Sequence, residues 1–307
     1  METWEVVTDK KSVCGEGPVW DRETNSIYWI DIVTGDIHRY HVDIKRLVTV
    51  NVGQKIGAIA KCGSGHLVAA VKTGLYFIDF NNNSHRLIKD PEADTPGNRF
   101  NDGKCDPSGR FWAGTMDDGN GIKSAGSLYT LERDLTVKKR HTGLTLSNGL
   151  AWDLDKKAFY LIDTPTRKVA AFDYDDSNGE ISNQREIISI PVGDGAPDGM
   201  TIDNEGMLWI AHWDGWKVSR WNPHSGSQLD EIRLPVSRVT SCTFGGKDLE
   251  SLYITTAKVG LTDEEIERQP LAGSLFMIKK SGYKGVPANT FVNSGAATDM
   301  RSEWRPL

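Results

Sequence analysis

Residues 98–116, NRFNDGKCDPSGRFWAGTM, contain the unit of structure that the chain repeats. One run ends at Cys105, the turn sequence DPSG follows, and a second run, RFWAGTM, comes directly after it. Asp, Pro, Ser and Gly are typical of tight turns, so the stretch predicts two antiparallel strands joined by a turn. The polar residues Arg99, Asn101 and Asp102 stand at the start of the first strand, where burying charge is costly unless the charge has a partner or a function.

The second run of this unit occurs six times, with spacings of roughly 40 to 50 residues. The copies are SIYWIDI (26–32), HLVAAVKTG (66–74), RFWAGTM (110–116), AFYLIDT (158–164), MLWIAHW (207–213) and SLYITTA (251–257). Repeats of this length with about four strands each are typical of β-propellers. The sequence therefore predicts an all-β, six-bladed β-propeller with four-stranded antiparallel blades around a central channel, forming a single domain over residues 1–307.

The sequence also allows predictions for the segments outside the repeats. WEVVTD (4–9) precedes the first repeat, and we expect it to supply an outer strand to the last blade. TDEEIERQ (262–269) predicts one short helix, with Thr262 or Asp263 as its N-cap. The polar tail after about residue 292 is expected to be loosely held.

Composition excludes several classes of function. The formal net charge of −6, with no basic stripe, argues against nucleic acid as a partner. No apolar run approaches the roughly 20 residues of a membrane span, and the N-terminus lacks the pattern of a secretion signal. Four scattered cysteines without a C-x-x-C pair indicate reduced thiols, so we expect a cytoplasmic protein. No large apolar surface stripe is evident, which favours a monomer.

The residues just before the first strands of the repeats converge at one face of the channel. In three units an acidic or amide residue precedes glycine: Glu16-Gly17, Asn148-Gly149 and Asp198-Gly199. The pattern adds Asp102-Gly103 in a fourth unit, whereas KIGAIA (55–60) and TSCTFG (240–245) break it.

Two carboxylates held close together in a channel repel each other unless a positive charge lies between them. Glu16 and Asp198 would supply two negative charges and Asn148 a neutral carbonyl oxygen. All-oxygen ligands favour Ca²⁺, Mg²⁺ or Mn²⁺, and carboxylates also accept Zn²⁺. The pattern therefore predicts one divalent cation with coordination positions left open for water and substrate.

At these residues the sequence resembles the regucalcin/gluconolactonase family, in the family's order from about residue 12 to about 278. The motifs that carry the resemblance are GEGPVW, NRFNDGKCDPSGRFWAGTM, GSLY, SNGLAW, PDGM, IDNEGMLWIA and FGGKDLESLYITTA. The resemblance implies a six-bladed propeller with one catalytic divalent metal, which hydrolyses sugar lactones to aldonic acids.

The resemblance also implies roles for individual residues. The metal ligands would be Glu16, Asn148 and Asp198. As our own mechanistic hypothesis, Asp198 would also accept a proton from the attacking water. Substrate contacts would fall on Arg99 and Asn101. Counting the polar residue before glycine selects Asp102 instead of Asn101, so we follow the resemblance and keep Asp102 as a residue that supports the site.

Three further expectations concern the neighbourhood of the site. The family's acidic substrate contact after GTM has its counterpart in Asp117 or Asp118, and Asp118 is our choice. His212 and Trp213 end a second strand beside Asp198 and are candidates to line the pocket. Asp31 and Asp163 end second strands and are interpreted as turn formers.

Two other functions stay open. The first is hydrolysis of aryl or organophosphate esters on the same scaffold, which a markedly apolar pocket would favour. The second is a non-catalytic calcium-binding propeller, which would close the coordination shell with protein groups. Arg99 and Asn101 favour a polyhydroxylated ligand and therefore the lactonase.

Overall fold

The computed structural model arranges the repeats as six antiparallel sheets and describes residues 4–63, 65–119, 122–153, 155, 157–294 and 304–307. The first three blades contain β2 (Gly15–Asp21), β3 (Ser26–Asp31), β4 (Asp36–His41) and β5 (Arg46–Asn51); β6 (Ile56–Lys61), β7 (His66–Val71), β8 (Gly74–Asp79) and β9 (Ser84–Lys89); and β10 (Asn98–Cys105), β11 (Phe111–Asp117), β12 (Gly126–Leu131) and β13 (Val137–Leu144).

The remaining blades follow the same order, with each first strand next to the channel. They contain β14 (Ser147–Asp153), β15 (Ala158–Asp163), β16 (Lys168–Asp175) and β17 (Glu180–Ser189); β18 (Ala196–Ile202), β19 (Leu208–Trp213), β20 (Lys217–Trp221) and β21 (Gln228–Arg233); and β22 (Val239–Gly245), β23 (Ser251–Thr256), β24 (Ser274–Ile278) and β1 (Trp4–Lys11). The predicted six-bladed, four-stranded β-propeller is confirmed.

The N-terminal strand closes the ring. β1 pairs antiparallel with β24 and forms the outer edge of the sixth blade, as the sequence predicts. Trp4 packs edge-on against Phe276, with 5.4 Å between ring centroids. Strands from the two ends of the repeat array therefore lie in one sheet, which removes two free sheet edges.

The predicted helix is also confirmed as α1 (Asp263–Arg268). The Thr262 side chain accepts from the Glu265 backbone N–H, and the Glu265 side chain accepts from the Thr262 backbone N–H, which is a capping box. At the C-terminus, β25 (Arg305–Pro306) pairs with β9 as a fifth strand of the second blade. Residues 295–303 lie outside the described part of the chain, so a loosely held tail there stays a prediction.

Aromatic side chains fill the spaces between neighbouring blades. Trp20 stacks on Tyr253 across the junction of the first and sixth blades, with 5.4 Å between ring centroids. Trp112 packs against Trp152 between the third and fourth blades at 5.7 Å. This packing buries the faces that a single sheet would expose, which is why the blades are stable only as a ring.

The four cysteines are buried and unpaired, as expected from their spacing. Within the described ranges, no helix has the length and apolar character needed to cross a membrane. The monomeric state and the cytoplasmic location stay predictions.

One buried histidine gives a prediction for the pH dependence of stability. His38 is fully buried in β4, with its ring 4.8 Å from Trp29 and its Nδ1 2.8 Å from the Thr49 hydroxyl. Burial, with a smaller contribution from Lys10, lowers the pKa of His38 from 6.5 to about 4. The folded state therefore keeps the ring neutral at a pH where the unfolded chain takes up a proton.

We expect the parent protein to lose stability relative to His38→Gln as the pH falls from 6.5 towards 4. The loss should be on the order of 3 kcal/mol, because the His38 ring takes up a proton in this pH range only in the unfolded chain, and proton binding stabilises the unfolded state. Urea denaturation of both proteins across this range, with a chelator present, measures the difference. A stability difference that does not change with pH would contradict the prediction.

Candidate functional site

A constant spacing identifies the equivalent residue of each repeat. In four blades a polar residue stands five positions before an aspartate that ends the first strand or directly follows it: Glu16 and Asp21, Asn101 and Asp106, Asn148 and Asp153, and Asp198 and Asp203. Three positions after the polar residue, each strand pairs with an aromatic residue of the second strand, in the pairs Val19–Tyr28, Lys104–Trp112, Ala151–Tyr160 and Thr201–Trp209. Asn101, not Asp102, is therefore the counterpart of Glu16, Asn148 and Asp198.

Asp102 occupies the position that glycine holds in the other three blades, so the polar-before-glycine pattern selects the wrong residue in the third unit. Its carboxylate accepts from the backbone N–H of Gly103 at 2.7 Å. Together with Lys104 it lines a smaller cavity of about 80 Å³ further along the channel. The structure thus places Asp102 behind the candidate site, as a neighbour of the site.

The candidate residues surround one cavity of about 560 Å³ at a face of the channel. It is lined by most of the residues that the sequence selects: Glu16, Arg99, Asn101, Asp117, Asp118, Asn148, Asp198 and Trp213. Much of the remaining wall is apolar, formed by Cys14, Ile32, Val33, Met116, Leu146, Ala196 and Val259. The cavity therefore combines a polar floor with largely apolar walls.

His212 does not line this cavity, contrary to the expectation. Side chains alternate along a strand, so Trp213 faces the cavity while His212 turns into the blade. Its Nδ1 lies 2.7 Å from the Asp194 carbonyl oxygen and its Nε2 lies 2.5 Å from the Ser219 hydroxyl. Burial lowers the pKa of His212 to about 4, so the ring is neutral at pH 7.

Three buried carboxyl groups, two on the floor and Asp102 directly behind it, dominate the electrostatics of the site. Glu16, Asp102 and Asp198 are 5%, 6% and 6% exposed, respectively. Burial, and then repulsion from Asp102, raises the pKa of Glu16 to about 8. Burial and the charges of Glu16 and Asp102 raise the pKa of Asp198 well above its usual range. The charges of Glu16 and Asp198 repel each other, and this repulsion can be relieved either by protonation of one carboxyl group or by a cation between them.

This donor set fits a hard divalent cation, because a cation would relieve the repulsion that now favours protonation. The floor offers two carboxylates and one amide carbonyl oxygen. Within the part of the chain that the structure describes, no three His, Cys, Asp or Glu side chains form a metal-binding group. Asn148, whose amide oxygen lies outside that set of side-chain types, is the candidate for a third protein ligand.

A chain of hydrogen bonds connects Arg99 to Asn148. Arg99 Nη1 donates to Asn101 Oδ1 at 2.8 Å. Asn101 Nδ2 donates to the Ser147 carbonyl oxygen at 2.8 Å and to Asn148 Oδ1 at 3.0 Å. Both N–H groups of Asn101 are thus used within the protein, and only its carbonyl oxygen can accept a further hydrogen bond.

Asp118 is held by three cations at the rim of the cavity. Lys55 and Lys72 each place Nζ 2.6 Å from one of its oxygens, and Arg99 Nε lies 3.3 Å away. Burial alone would raise the pKa of Asp118, but hydrogen bonds from the two lysines lower it. Sequence analysis missed both lysines, because they lie 63 and 46 residues from Asp118 and no local motif marks them.

Asp31 and Asp163 have a larger role than turn formation. Asp31 accepts from the backbone N–H groups of Val13 and Cys14 at 2.6 and 3.1 Å. Asp163 accepts from those of Thr145 and Leu146 at 3.2 and 2.8 Å. Each carboxylate therefore fixes the backbone two and three residues before a candidate ligand. The signal was present in the sequence as the repeated strand ends YWID and YLID.

The glycines after Asn148 and Asp198 let neighbouring first strands approach. A Cβ atom on Gly149 would lie 2.6 Å from the Cβ of Met200 and 2.9 Å from the Asp198 carbonyl oxygen. A Cβ atom on Gly199 would lie 2.2 Å from the Ser241 hydroxyl oxygen. Gly149 thus lets β14 and β18, which carry Asn148 and Asp198, lie close together, and Gly199 does the same for β18 and β22.

Comparison with known proteins connects the chain to one family. The protein-family model described as the SMP-30/gluconolactonase/LRE-like region matches residues 14–258. "Putative sugar lactone lactonase YvrE" of Bacillus subtilis is 39% identical over 281 residues, covering 91% of this chain and 96% of that protein.

Two solved structures are similar to this chain along nearly their whole length. A luciferin-regenerating enzyme superposes with a TM-score of 0.88 at 33% identity, covering 94% of this chain and 99% of that one. A regucalcin from Agrobacterium tumefaciens, described as a calcium-binding protein, has a TM-score of 0.88 at 27% identity, covering 93% and 96%.

The close packing around Gly149 predicts the effect of adding a side chain at this position. We expect Gly149→Ala to lower the free energy of unfolding by about 1–3 kcal/mol, because the added methyl group overpacks the junction of β14 and β18. The strand that carries Asp198 must then move away from Asn148. Chemical denaturation measures the first effect, and a parent-like free energy of unfolding would show that the junction has free space.

Proposed function

The chain belongs to the SMP-30/gluconolactonase/LRE-like family, and on that premise we propose that it is a metal-dependent lactonase. Its substrate would be a sugar (aldono) lactone, which it hydrolyses to the aldonic acid. The observation that carries the proposal is the meeting of Glu16, Asn148 and Asp198, from three blades, on the floor of one open cavity.

The protein's own groups would hold one divalent cation, either Ca²⁺, Zn²⁺, Mn²⁺ or Mg²⁺. Glu16 and Asp198 would bind it with carboxylate oxygens and Asn148 with Oδ1. When bound, the cation supplies Lewis-acid polarisation of the lactone carbonyl. Three protein ligands leave positions open, which favours a catalytic site over the closed shell of a structural one.

Asp198 would act as the general base. Its carboxylate would accept a proton from the water that attacks the lactone carbonyl carbon. That role requires the ionised form, and burial beside Glu16 and Asp102 disfavours it in the absence of a cation. The base is therefore competent only when the positive charge of the site balances the three carboxylates.

Arg99 and Asn101 would orient the sugar ring. Arg99 has a fixed charge, and its Nε and Nη1 are already committed to Asp118 and Asn101. Asn101 can accept from a sugar hydroxyl with its carbonyl oxygen. Asp118, bound by three cations, would accept from a hydroxyl only with the lone pairs that those cations leave.

A second candidate function rests on the cavity walls. Ile32, Met116, Trp213 and Val259 present apolar surface to the substrate, which suits an aryl or organophosphate ester better than a ring of hydroxyl groups. The polar floor and the lactonase-named relative favour the sugar lactone, so the ester hydrolase stands second.

The function is tested by following acid release from glucono-, xylono- and arabinono-lactones, with the rate in buffer subtracted. We expect a chelator to reduce catalysis to the buffer rate, because the base and the polarising group both depend on the cation. Adding Ca²⁺, Mg²⁺, Mn²⁺ or Zn²⁺ singly should restore the rate with at least one ion. A rate that survives complete chelation would refute metal dependence.

Parallel assays with phenyl acetate and paraoxon separate the alternatives. Faster turnover of either ester than of every lactone would support the second candidate. Calorimetric binding of a cation without turnover of any substrate would indicate a non-catalytic calcium-binding propeller.

The role of Asp198 gives a separate prediction. We expect Asp198→Asn to lower kcat by about 10²- to 10⁴-fold, since loss of a general base typically has this effect. Asp175→Asn, which changes an exposed carboxylate far from the cavity, is the matched control and should keep the parent rate. Full activity in Asp198→Asn, assayed at saturating cation, would assign the proton transfer to another group.

A further inference from the structure

Thr164 joins two candidate ligands through one hydroxyl group. It follows Asp163 at the end of β15 and begins a short 3₁₀ helix, Thr164–Thr166. Its Oγ1 accepts from Asn148 Nδ2 at 2.8 Å and donates to the Pro197 carbonyl oxygen at 2.7 Å. Pro197 directly precedes Asp198, so the hydroxyl connects the fourth and fifth blades between the two ligands.

The fold itself does not require a hydroxyl at this position. The equivalent residues of the first, third and fifth blades are Ile32, Met116 and Trp213, and all four residues line the same cavity. Of these four side chains, only that of Thr164 carries a hydroxyl group, which can both donate and accept a hydrogen bond. Its bonds to Asn148 and Pro197 therefore point to a task specific to the site.

The hydrogen bonds determine which end of the Asn148 amide faces the floor. The single hydroxyl hydrogen of Thr164 goes to the Pro197 carbonyl, so its oxygen can only accept from Asn148. On the other side, Asn101 Nδ2 can only donate to Asn148. A reversed amide would place donor against donor at Asn101 and acceptor against acceptor at Thr164.

We propose that Thr164 is a positioning residue of the cation site, which directs Asn148 Oδ1 towards the ion and anchors the backbone in front of Asp198. The inference rests on the cation site of the proposed function and deepens it. Thr164 acts through Asn148 and Asp198 and is not itself a ligand. Groups that orient metal ligands commonly change metal affinity by 10–100-fold when they are removed.

The test compares Thr164→Val, which keeps the shape but removes the hydroxyl, with Thr164→Ser, which keeps the hydroxyl. Thr166→Val is the matched control, because Thr166 lies in the same turn and its hydroxyl bonds only Asp163 and Lys168 among the described residues. Calorimetric titration of each chelator-treated protein with Ca²⁺ and with Mn²⁺ gives the dissociation constant, and thermal unfolding checks that each variant is folded.

We expect Thr164→Val to weaken cation binding by about 10–100-fold, while Thr164→Ser and Thr166→Val stay close to the parent. At saturating cation, Thr164→Val should regain most of its kcat with an almost unchanged KM. Parent-like affinity in Thr164→Val would overturn the proposal, and so would a Thr164→Ser variant as weak as Thr164→Val.

A double-mutant cycle with Asn148→Asp tests orientation directly. A carboxylate has two equivalent oxygens, so its orientation cannot be reversed. In the Asn148→Asp background, Thr164→Val should therefore weaken cation binding much less than in the parent. An equal loss in both backgrounds would show that Thr164 acts through general packing.

The binding measurements separate this inference from the enzymatic proposal. A parent protein that binds a cation but hydrolyses no lactone refutes the proposed function, while the affinities of the variants still decide the role of Thr164. A parent protein that binds neither ion overturns the role of Thr164 together with the metal dependence.

Discussion

Closure of the ring is the interaction on which the site depends. β1 pairs with β24, and the Thr240 hydroxyl donates to the Gly15 carbonyl oxygen at 2.6 Å, so the sixth blade is tied to the first. Only then does Glu16, near the start of the chain, approach Asp198. The stability of the ring and the geometry of the candidate site are therefore coupled, because loosening the closing sheet would move Glu16 away from Asp198.

Burying charged carboxyl groups at the floor of the cavity costs free energy, and the other groups of the fold do not compensate for it. Three carboxyl groups are buried together, and Lys104, which donates to the Met200 carbonyl oxygen at 2.6 Å, is a cation that favours the charged forms of Asp102 and Glu16. Burial lowers the pKa of Lys104, so its positive charge is itself costly to keep there. The arrangement is understandable if an ion completes it, since a divalent cation would bring the charge of the buried group close to balance.

Sequence predicts the fold and the three candidate ligands because both follow from repetition. The position of Glu16, Asn148 and Asp198 could be found by comparing equivalent residues, without knowledge of any contact. The third blade shows the limit of this approach: an aspartate replaces glycine there, so the polar-before-glycine pattern fails, and the spacing to Asp106 together with strand pairing identifies Asn101 as the equivalent residue. The ion pairs of Asp118 with Lys55 and Lys72 could not be predicted, because they join different blades through side chains that no repeat relates.

The ends of the second strands show that the repeats preserve geometry and not residue identity. Asp31 and Asp163 fix the incoming loop by accepting from its N–H groups, whereas His212 faces the Asp194 carbonyl oxygen of the corresponding loop. Opposite hydrogen-bonding chemistry thus achieves the same placement, which explains why sequence analysis assigned the two residue types different roles. Because side chains alternate, the next residue of each strand faces the cavity: Ile32 and Trp213 form apolar wall there, whereas Thr164 bonds Asn148 and the Pro197 carbonyl oxygen. The apolar wall positions can therefore differ between substrates while the loops before the candidate ligands keep their placement.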